Sequence, residues 1–334
     1  MSDRRKSRKS RGRSRHRSFG PRFSNLPLAA LLLAALVGLP SCTPAESPLS
    51  QTPATFQGTP PIQIASTVGM LSDLVTAIAG ERGNVTTLMG PGTDPHLYKA
   101  SPGDVATLRE SDLILFVGHH LEGRMADAFE RLGEDQLSIA VVERIPDSEL
   151  LSADGSIDPH LWFDARRWGL VAAEIRDILV AFDPEGATGY RERATQLIAQ
   201  LTALDAEVRE QIAAIPAEKR VLITAHDAFR YFGNAYGIEV IGVQGLSTES
   251  EAAVHRINEL VETIVRRKIP AVFVESTISR KNIEALVEGC RSRGHTLSIG
   301  GELYSDAMGP AGTPAGTYFG MVRHNVQVLT QALK

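Results

Sequence analysis

Apolar and polar residues along this chain follow the pattern of short buried strands that alternate with amphipathic helices. A strand pattern over 62–66 precedes a predicted helix over 67–80, whose apolar residues recur three and four positions apart. Strand patterns at 85–89 and 113–117 predict two more strands, and the second stretch is fully apolar, as in sheets buried on both faces. This alternation predicts an α/β domain.

Residues 185–214 interrupt the alternation with a single predicted helix. Their apolar residues keep helical spacing over about 28 residues, more than double the usual helix length. Strand patterns then resume at 221–224, 240–243, 271–275 and 296–299. We therefore predict an α/β protein of two lobes, each a mainly parallel sheet flanked by helices, joined by one long helix. The predicted bounds are 62–184 for the N-terminal lobe, 185–214 for the linking helix and 215–334 for the C-terminal lobe.

The N-terminus has the pattern of an export signal. Residues 1–25 contain ten Lys/Arg and one acid, and an apolar run from Leu26 to Leu39 follows them. A basic segment before a short apolar one is typical of a secretory signal peptide, which we place at 1–41. Cys42, directly after Ser41, resembles the lipidated cysteine of a bacterial lipobox. The proline-rich stretch that follows, 42–61, is predicted to be a disordered tether beyond the lipid anchor.

Charge and cysteine content change once this leader is removed. The whole chain has 35 basic and 39 acidic residues; without ten basic and one acidic residue of the leader, 25 and 38 remain, a net charge of −13. This acidic balance argues against a nucleic-acid partner. With Cys42 lipidated, only Cys290 remains, which excludes an intramolecular disulfide.

The first candidate for chemistry is a tetrapeptide that occurs twice. Asp94-Pro95-His96-Leu97 and Asp158-Pro159-His160-Leu161 each place a histidine in a turn that proline stiffens. Neutral imidazole is the commonest protein metal ligand and usually needs an acceptor to fix its tautomer. The two copies are compatible with a metal site and also with ordinary turns that carry surface histidines. We expect Asp94 and Asp158 to cap these turns, with orientation of the imidazoles as a further role.

Two more candidates follow predicted strands of the second lobe. His226 lies just past the strand at 221–224, and Asp306 lies in a glycine-marked loop after the strand at 296–299. Ligands of open α/β sheets bind at the carboxyl ends of strands, so these side chains are expected to meet the two turn histidines in the cleft between lobes. Glu275, at the end of another strand, is a candidate acceptor behind a ligand or a substitute ligand.

Five ordered motifs resemble the zinc- and manganese-binding solute receptors of bacterial ABC importers, the cluster A-I periplasmic metal-binding family. The similarity extends from about residue 62 to the C-terminus. The motifs are Gly90-Pro91-Gly92-Thr93-Asp94-Pro95-His96-Leu97-Tyr98, Gly118-His119-His120-Leu121-Glu122-Gly123, Asp158-Pro159-His160-Leu161-Trp162-Phe163-Asp164, Thr224-Ala225-His226-Asp227-Ala228-Phe229 and Gly300-Gly301-Glu302-Leu303-Tyr304-Ser305-Asp306.

The resemblance implies two lobes bridged by a rigid helix. It also implies an extracytoplasmic lipoprotein that delivers its ion to an ABC permease with a cytoplasmic ATPase. The family's metal ligands fall on His96, His160, His226 and Asp306 of this sequence. Some members of the family are lipoproteins once described as adhesins. We expect this chain to act as a monomer.

The choice of metal depends on the ligand types. Three imidazoles and a carboxylate suit Zn²⁺, and also Fe²⁺ or Co²⁺. Mn²⁺ prefers more oxygen, and manganese members of the family often have Glu where this chain has His226, although a bidentate Asp306 permits Mn²⁺. The His-rich loop of many zinc receptors is absent between Gly118 and Asp158. We therefore expect Zn²⁺ first and Mn²⁺ next as the transported ligand.

A closed set of four protein ligands binds an ion without leaving a position for a reactive water. This favours a metal-uptake receptor that is not an enzyme. Two alternatives remain at this point. One is a secreted zinc-dependent hydrolase in which three histidines hold the metal and Asp306 is a general base. The other is a surface adhesin with an incidental metal site.

Overall fold

The computed structural model describes residues 55–132, 136–153 and 155–334. The predicted signal peptide over 1–41 and the predicted lipidation site, Cys42, lie outside this part of the chain. Among the residues described, no helix is both long and apolar enough to cross a membrane.

The first lobe is built on a parallel sheet. Within the described residues this sheet has four strands in the order β2-β1-β3-β4, and every neighbouring pair runs parallel. The two strands in the centre of the sheet, β1 and β3, are almost fully buried, as the continuous apolar sequence of β3 predicts. The bounds are β1 Ile62–Val68, β2 Gly83–Met89, β3 Leu113–Phe116 and β4 Ser138–Ala140.

Helices cover the faces of this sheet, and a short hairpin follows it. The hydroxyl of Ser101 accepts from the backbone N–H of Asp104 and the Asp104 carboxylate accepts from that of Ser101, so the predicted Ser N-cap is part of a capping box. The helices are α1 Gly69–Ala79, α2 Pro102–Glu110, α3 Ala126–Leu132 and α4 Ala165–Phe182, and the antiparallel hairpin consists of β5 Ser152–Ala153 and β6 Ser156–Ile157.

The long helix predicted over 185–214 is observed as α5, Ala187–Ala213, with a 3₁₀ turn at Pro184–Gly186 before it. One apolar stripe runs along its 27 residues. The stripe is buried against α1 and α4 of the first lobe and against two helices of the second lobe, α6 Arg230–Tyr236 and α9 Tyr318–Leu333. The helix therefore contributes to the packing of both lobes.

The second lobe contains parallel strands in two separate pairs. β7 (Val221–Thr224) pairs with β8 (Glu239–Gly242), and β9 (Ala271–Glu275) pairs with β10 (Ser298–Leu303). β7 lies beside β9 without forming a hydrogen-bonded ladder, so the described strands do not make the one continuous sheet that the sequence suggests. The remaining helices are α7 Val254–Arg267 and α8 Lys281–Ser292.

The main hydrophobic core crosses from one lobe to the other. It includes Leu71 and Ile114 of the first lobe, the α5 stripe, and Phe273 and Met321 of the second. A smaller core fills the outer part of the second lobe and contains the buried Cys290. The two lobes are thus joined by continuous apolar packing as well as by the chain.

The end of the predicted tether differs from the expectation. The disordered segment was predicted to extend to residue 61, but residues 55–61 are described and pack on the first lobe. The backbone N–H of Phe56 donates to the carbonyl of Phe182 at 2.6 Å, and the two rings lie 5.6 Å apart. A single aromatic side chain therefore anchors this proline-rich sequence, which composition alone did not reveal.

Candidate metal centre

The repeated tetrapeptide forms the same turn twice. In each copy the aspartate Oδ1 accepts a hydrogen bond from the backbone N–H of the histidine two residues later, at 2.9 Å for Asp94 and His96 and at 3.0 Å for Asp158 and His160. Proline between them supplies no competing N–H. Both aspartates therefore cap their turns, as the sequence predicts, and both histidines are buried.

Contacts at the ends of β7, β9 and β10 position the second pair of candidates. His226 lies two residues past β7, where its carbonyl accepts from the Thr224 hydroxyl at 2.8 Å and its N–H donates to Glu275 Oε1 at 2.9 Å. Asp306 follows β10, and the neighbouring Ser305 carbonyl accepts from the Trp162 indole of the first lobe at 3.1 Å. The carboxyl ends of the strands thus bring these side chains to the first lobe.

The structure brings all four predicted side chains together as a group that could hold a metal ion. Nε2 of His96 lies 3.3 Å from Nε2 of His160, and each of these nitrogens lies 3.6 Å from one oxygen of Asp306. Nε2 of His226 lies 3.2 Å from Asp306 Oδ2. Three imidazole nitrogens and one carboxylate thus face a common point.

Hydrogen bonding within the protein does not account for this arrangement. Nε2 of His226 and both oxygens of Asp306 are buried, and none has a hydrogen-bond partner among the described residues. Buried polar atoms without partners are costly, and facing lone pairs repel one another. A cation at the common point removes both penalties, so the donor set fits a bound divalent ion.

Carboxylates orient two of the three imidazoles from behind. Nδ1 of His160 lies 2.7 Å from Asp158 Oδ1, and Nδ1 of His226 lies 2.6 Å from Glu275 Oε2. A carboxylate at Nδ1 holds the ring proton there and leaves the Nε2 lone pair for the ion. His96 differs, because no carboxylate of the described residues contacts its Nδ1; the one carboxylate close to its ring, Asp306, faces Nε2.

The electrostatics of the cluster reflect this distribution of charge. Burial lowers the pKa of His96 to about 3, which keeps its imidazole neutral and able to bind metal. The pKa of His226 is raised well above its usual value, because Glu275 and Asp306 outweigh the opposing effect of burial. His226 in turn lowers the pKa of Asp306 against the effect of burial. The two carboxylates thus favour a positive charge at His226.

Asp306 also bears on the choice of metal. Its Oδ1 faces His160 and its Oδ2 faces His96 and His226, and both oxygens lack other partners among the described residues. One bound oxygen completes the tetrahedral N₃O set that Zn²⁺ prefers. Two bound oxygens raise the coordination number and suit Mn²⁺. The geometry accommodates either ion.

The sequence did not indicate one contact across the lobes. The hydroxyl of Thr248 donates to Asp94 Oδ2 at 2.6 Å, so the aspartate that caps the His96 turn is also bound by the second lobe. Burial raises the pKa of Asp94, and this hydrogen bond opposes the rise. The two residues are far apart in sequence, and no pattern around Thr248 marks it.

The Gly-His-His-Leu-Glu-Gly motif forms a tight turn beside the cluster. His119 and His120 both have left-handed backbone angles, with φ of 48° and 63°, and both line the cavity that His96 lines. Neither belongs to the four-residue group. Glu122 holds the turn from within: its carboxylate accepts from the Thr67 hydroxyl and from the N–H groups of Val117 and Gly118.

Known proteins similar to this chain bind metals. Residues 64–332 match the family described as zinc-uptake complex component A, periplasmic. The chain is 47% identical over 275 residues to the manganese-binding lipoprotein MntA of Bacillus subtilis, a match that covers 82% of this chain and 90% of that protein. It is 48% identical over 271 residues to the zinc-binding protein TroA of Treponema pallidum, covering 81% and 88% respectively.

The fold is likewise similar to a solved structure. The periplasmic zinc binding protein TroA from Treponema pallidum superposes with a TM-score of 0.79 at 47% sequence identity, covering 83% of this chain and 99% of that chain. The similarity therefore includes both lobes and the long helix that joins them.

Proposed function

The chain belongs to the family described as zinc-uptake complex component A, periplasmic, and on that premise we propose that it captures Zn²⁺ or Mn²⁺ for an ABC importer. His96, His160, His226 and Asp306 are the proposed ligands. One observation carries the proposal: four buried donors converge, and Nε2 of His226 and both oxygens of Asp306 lack hydrogen-bond partners among the described residues. The ion is the transported cargo, which binds at a single site between the lobes and is then transferred to the permease.

The same geometry distinguishes a receptor from a hydrolase. The Asp306 carboxylate lies within 3.6 Å of Nε2 of all three histidines, which is the position of a ligand rather than of a base that activates a separate water. A zinc enzyme keeps a position open for water, whereas four protein ligands fill a tetrahedral shell. Binding without catalysis follows from that closed shell.

Zn²⁺ is the first choice of cargo and Mn²⁺ the second. Three imidazoles and a single carboxylate favour Zn²⁺, whereas Mn²⁺ requires Asp306 to bind through both oxygens. Relatives do not decide the matter, because a manganese-binding and a zinc-binding protein are 47% and 48% identical to this chain.

The proposed setting is the outer face of the cytoplasmic membrane or the periplasm. Its support is the signal-like sequence at 1–41, the lipobox-like Cys42, and relatives described as a lipoprotein or as periplasmic. The proline-rich sequence after Cys42 is proposed to link the anchor to the folded lobes. The proposed partners are a permease and its ATPase, with the receptor acting as a monomer.

Equilibration of the purified protein with an equimolar mixture of Zn²⁺, Mn²⁺ and Fe²⁺, followed by gel filtration and elemental analysis, tests the proposal. We expect about one ion per chain, mostly zinc. Retention of no ion, or of several loosely held ions, would contradict the proposed function. One tightly bound manganese ion per chain would support the receptor function but contradict the proposed preference for Zn²⁺.

A further inference from the structure

The four donors of the metal centre are not held equally firmly. His160 and His226 each have a carboxylate at Nδ1, at 2.7 and 2.6 Å. No carboxylate of the described residues contacts Nδ1 of His96, and the one carboxylate close to its ring, Asp306, faces Nε2. A ring that lacks this contact loses one constraint on its rotation. His96 is therefore the donor that can leave the cluster at the smallest cost.

His96 is also the donor that lies beside open space. It lines a cavity of about 480 Å³ whose walls come from both lobes. The Gly-His-His turn contributes His119 and His120 from one side, and Leu246, Ser247 and Glu249 contribute from the other. His160, His226 and Asp306 are not among the residues that line it. This cavity, which we call the interlobe cavity, reaches the centre on the His96 side.

The Thr248–Asp94 hydrogen bond ties the two walls of that cavity together. Asp94 binds the His96 backbone N–H through Oδ1 and the Thr248 hydroxyl through Oδ2, at 2.9 and 2.6 Å. Thr248 lies in sequence between Ser247 and Glu249, which line the cavity from the second lobe, and is itself only 8% exposed. One carboxylate therefore connects the turn that carries His96 to the segment that closes the cavity.

The turn of His160 is connected to the second lobe through its backbone instead, because the Tyr231 hydroxyl of α6 donates to the Asp158 carbonyl at 3.0 Å. Asp158 also caps its histidine, but its Oδ2 has no hydrogen-bond partner among the described residues, and its Oδ1 binds the imidazole of His160. The Asp158 carboxylate therefore fixes a ring, whereas the Asp94 carboxylate fixes the position of a turn relative to the other lobe. The two copies of the tetrapeptide do different work in the folded protein.

A second contact between the same walls is weaker. Arg124 Nε lies 3.1 Å from Glu249 Oε1, but these side chains are 37% and 49% exposed. Exposed ion pairs contribute little, because solvent screens them. The shielded hydrogen bond from Thr248 to an anionic acceptor is the stronger of the two.

We infer that the cargo ion leaves and reaches the centre past His96 through the interlobe cavity, and that the Thr248–Asp94 hydrogen bond sets the rate of release. This inference rests on the proposed function. Thr248 and Asp94 are positioning residues, since neither belongs to the donor set. Breaking the hydrogen bond frees the His96 turn, so the ion departs faster while the other three donors stay in place.

The test uses Zn²⁺-loaded protein mixed in a stopped-flow instrument with an excess of a chromogenic chelator. Thr248→Val removes the hydroxyl and keeps the shape of the side chain. Thr248→Ser keeps the hydroxyl and removes the methyl group. Thr202→Val is the matched control, because it makes the same change at an exposed threonine of α5 whose hydroxyl bonds only within the helix. Arg124→Gln tests the exposed ion pair. Melting of the metal-free variants checks that all are folded.

We expect zinc release from Thr248→Val to be about 10- to 150-fold faster than from wild type, as loss of one hydrogen bond to a charged group implies. Thr248→Ser, Thr202→Val and Arg124→Gln should release zinc within about twofold of wild type. A wild-type rate of zinc release from folded Thr248→Val would contradict the inference without affecting the proposed receptor function. Failure of wild type to bind zinc at all would instead contradict the proposed function.

Discussion

At the scale of single residues, the balance of buried charges explains the arrangement of the metal centre better than the types of its ligands do. His226 lies between two buried carboxylates, Glu275 and Asp306, and its pKa is raised because a positive charge is needed there. A divalent ion supplies that charge and releases the proton. Glu275 then acts on the ion through the His226 ring rather than by direct contact.

This role of Glu275 gives a first prediction. Glu275→Gln should weaken zinc binding by about 10- to 100-fold, because His226 loses the anionic acceptor that fixes its tautomer and raises its basicity. Competition with a chelator of known affinity measures the change. Glu288→Gln is the control, since that glutamate is exposed on α8 and its one ion pair among the described residues is with Arg291. Equal zinc affinities for both variants would show that Glu275 has no such role.

A second residue-scale prediction concerns Glu122, which is buried behind the Gly-His-His turn. Its carboxylate accepts three hydrogen bonds, and a glutamine offers an amide N–H₂ group in place of one acceptor oxygen. Glu122→Gln should therefore lower the free energy of unfolding by about 1–3 kcal/mol, measured with urea on the metal-free protein. Unchanged stability at every pH would contradict this account of the turn.

The pH dependence of that loss has a definite sign. Burial raises the pKa of Glu122, so the folded protein holds this proton more tightly than the unfolded chain does. The stabilising contribution is complete below the ordinary glutamate pKa and is lost as pH rises through the raised value. Between about pH 4 and about pH 8, the stability gap between wild type and Glu122→Gln should narrow. A stability difference between wild type and Glu122→Gln that widens as pH rises would contradict a raised pKa for Glu122.

Part of the metal centre could be predicted from the sequence, because local sequence patterns mark those residues. His226 and Glu275 follow or end apolar strands, and the two turn histidines share a motif with proline. Thr248 could not be predicted in this way, because it meets Asp94 only through the approach of two lobes. A contact between residues so far apart depends on tertiary geometry, which periodicity does not encode.

At the scale of elements, α5 is the joint between the lobes and contributes to the core of both. Its buried stripe includes Leu201, which is fully buried. Leu201→Ala should lower the free energy of unfolding by about 2–5 kcal/mol, because it leaves a cavity where α5 packs. Gln200→Ala, at the exposed neighbour, should change it by less than about 0.5 kcal/mol. Equal effects in urea denaturation would contradict the role of the stripe.

The sequence predicted elements well where one pattern was long or strongly apolar. β7 and β9 have their predicted bounds, and α5 differs from its prediction by two residues at one end and one at the other. β10 extends to Leu303, beyond the predicted 299, because Gly300 and Gly301 remain in the strand across a register shift. The hairpin of β5 and β6 was not predicted, since two-residue strands have no periodicity.

At the scale of the whole molecule, a continuous core restrains motion between lobes that share a metal site. The main core runs from the first sheet through α5 into the second lobe. Large hinge motion would expose this apolar packing to water, at a cost that grows with the area uncovered. Small rearrangements around the interlobe cavity, such as loss of the Thr248–Asp94 hydrogen bond, expose far less. Release of an ion past His96 requires only such a small rearrangement.

The central claim is that donors from both lobes bind one ion, and a zinc competition titration of His226→Ala tests it most directly. His255→Ala is the matched control, because that histidine is exposed on α7. Wild type and His255→Ala should bind one zinc ion with equal affinity. His226→Ala should bind it at least about 100-fold more weakly, since one of four donors is lost. Zinc binding by folded His226→Ala as tight as that of wild type would contradict the account.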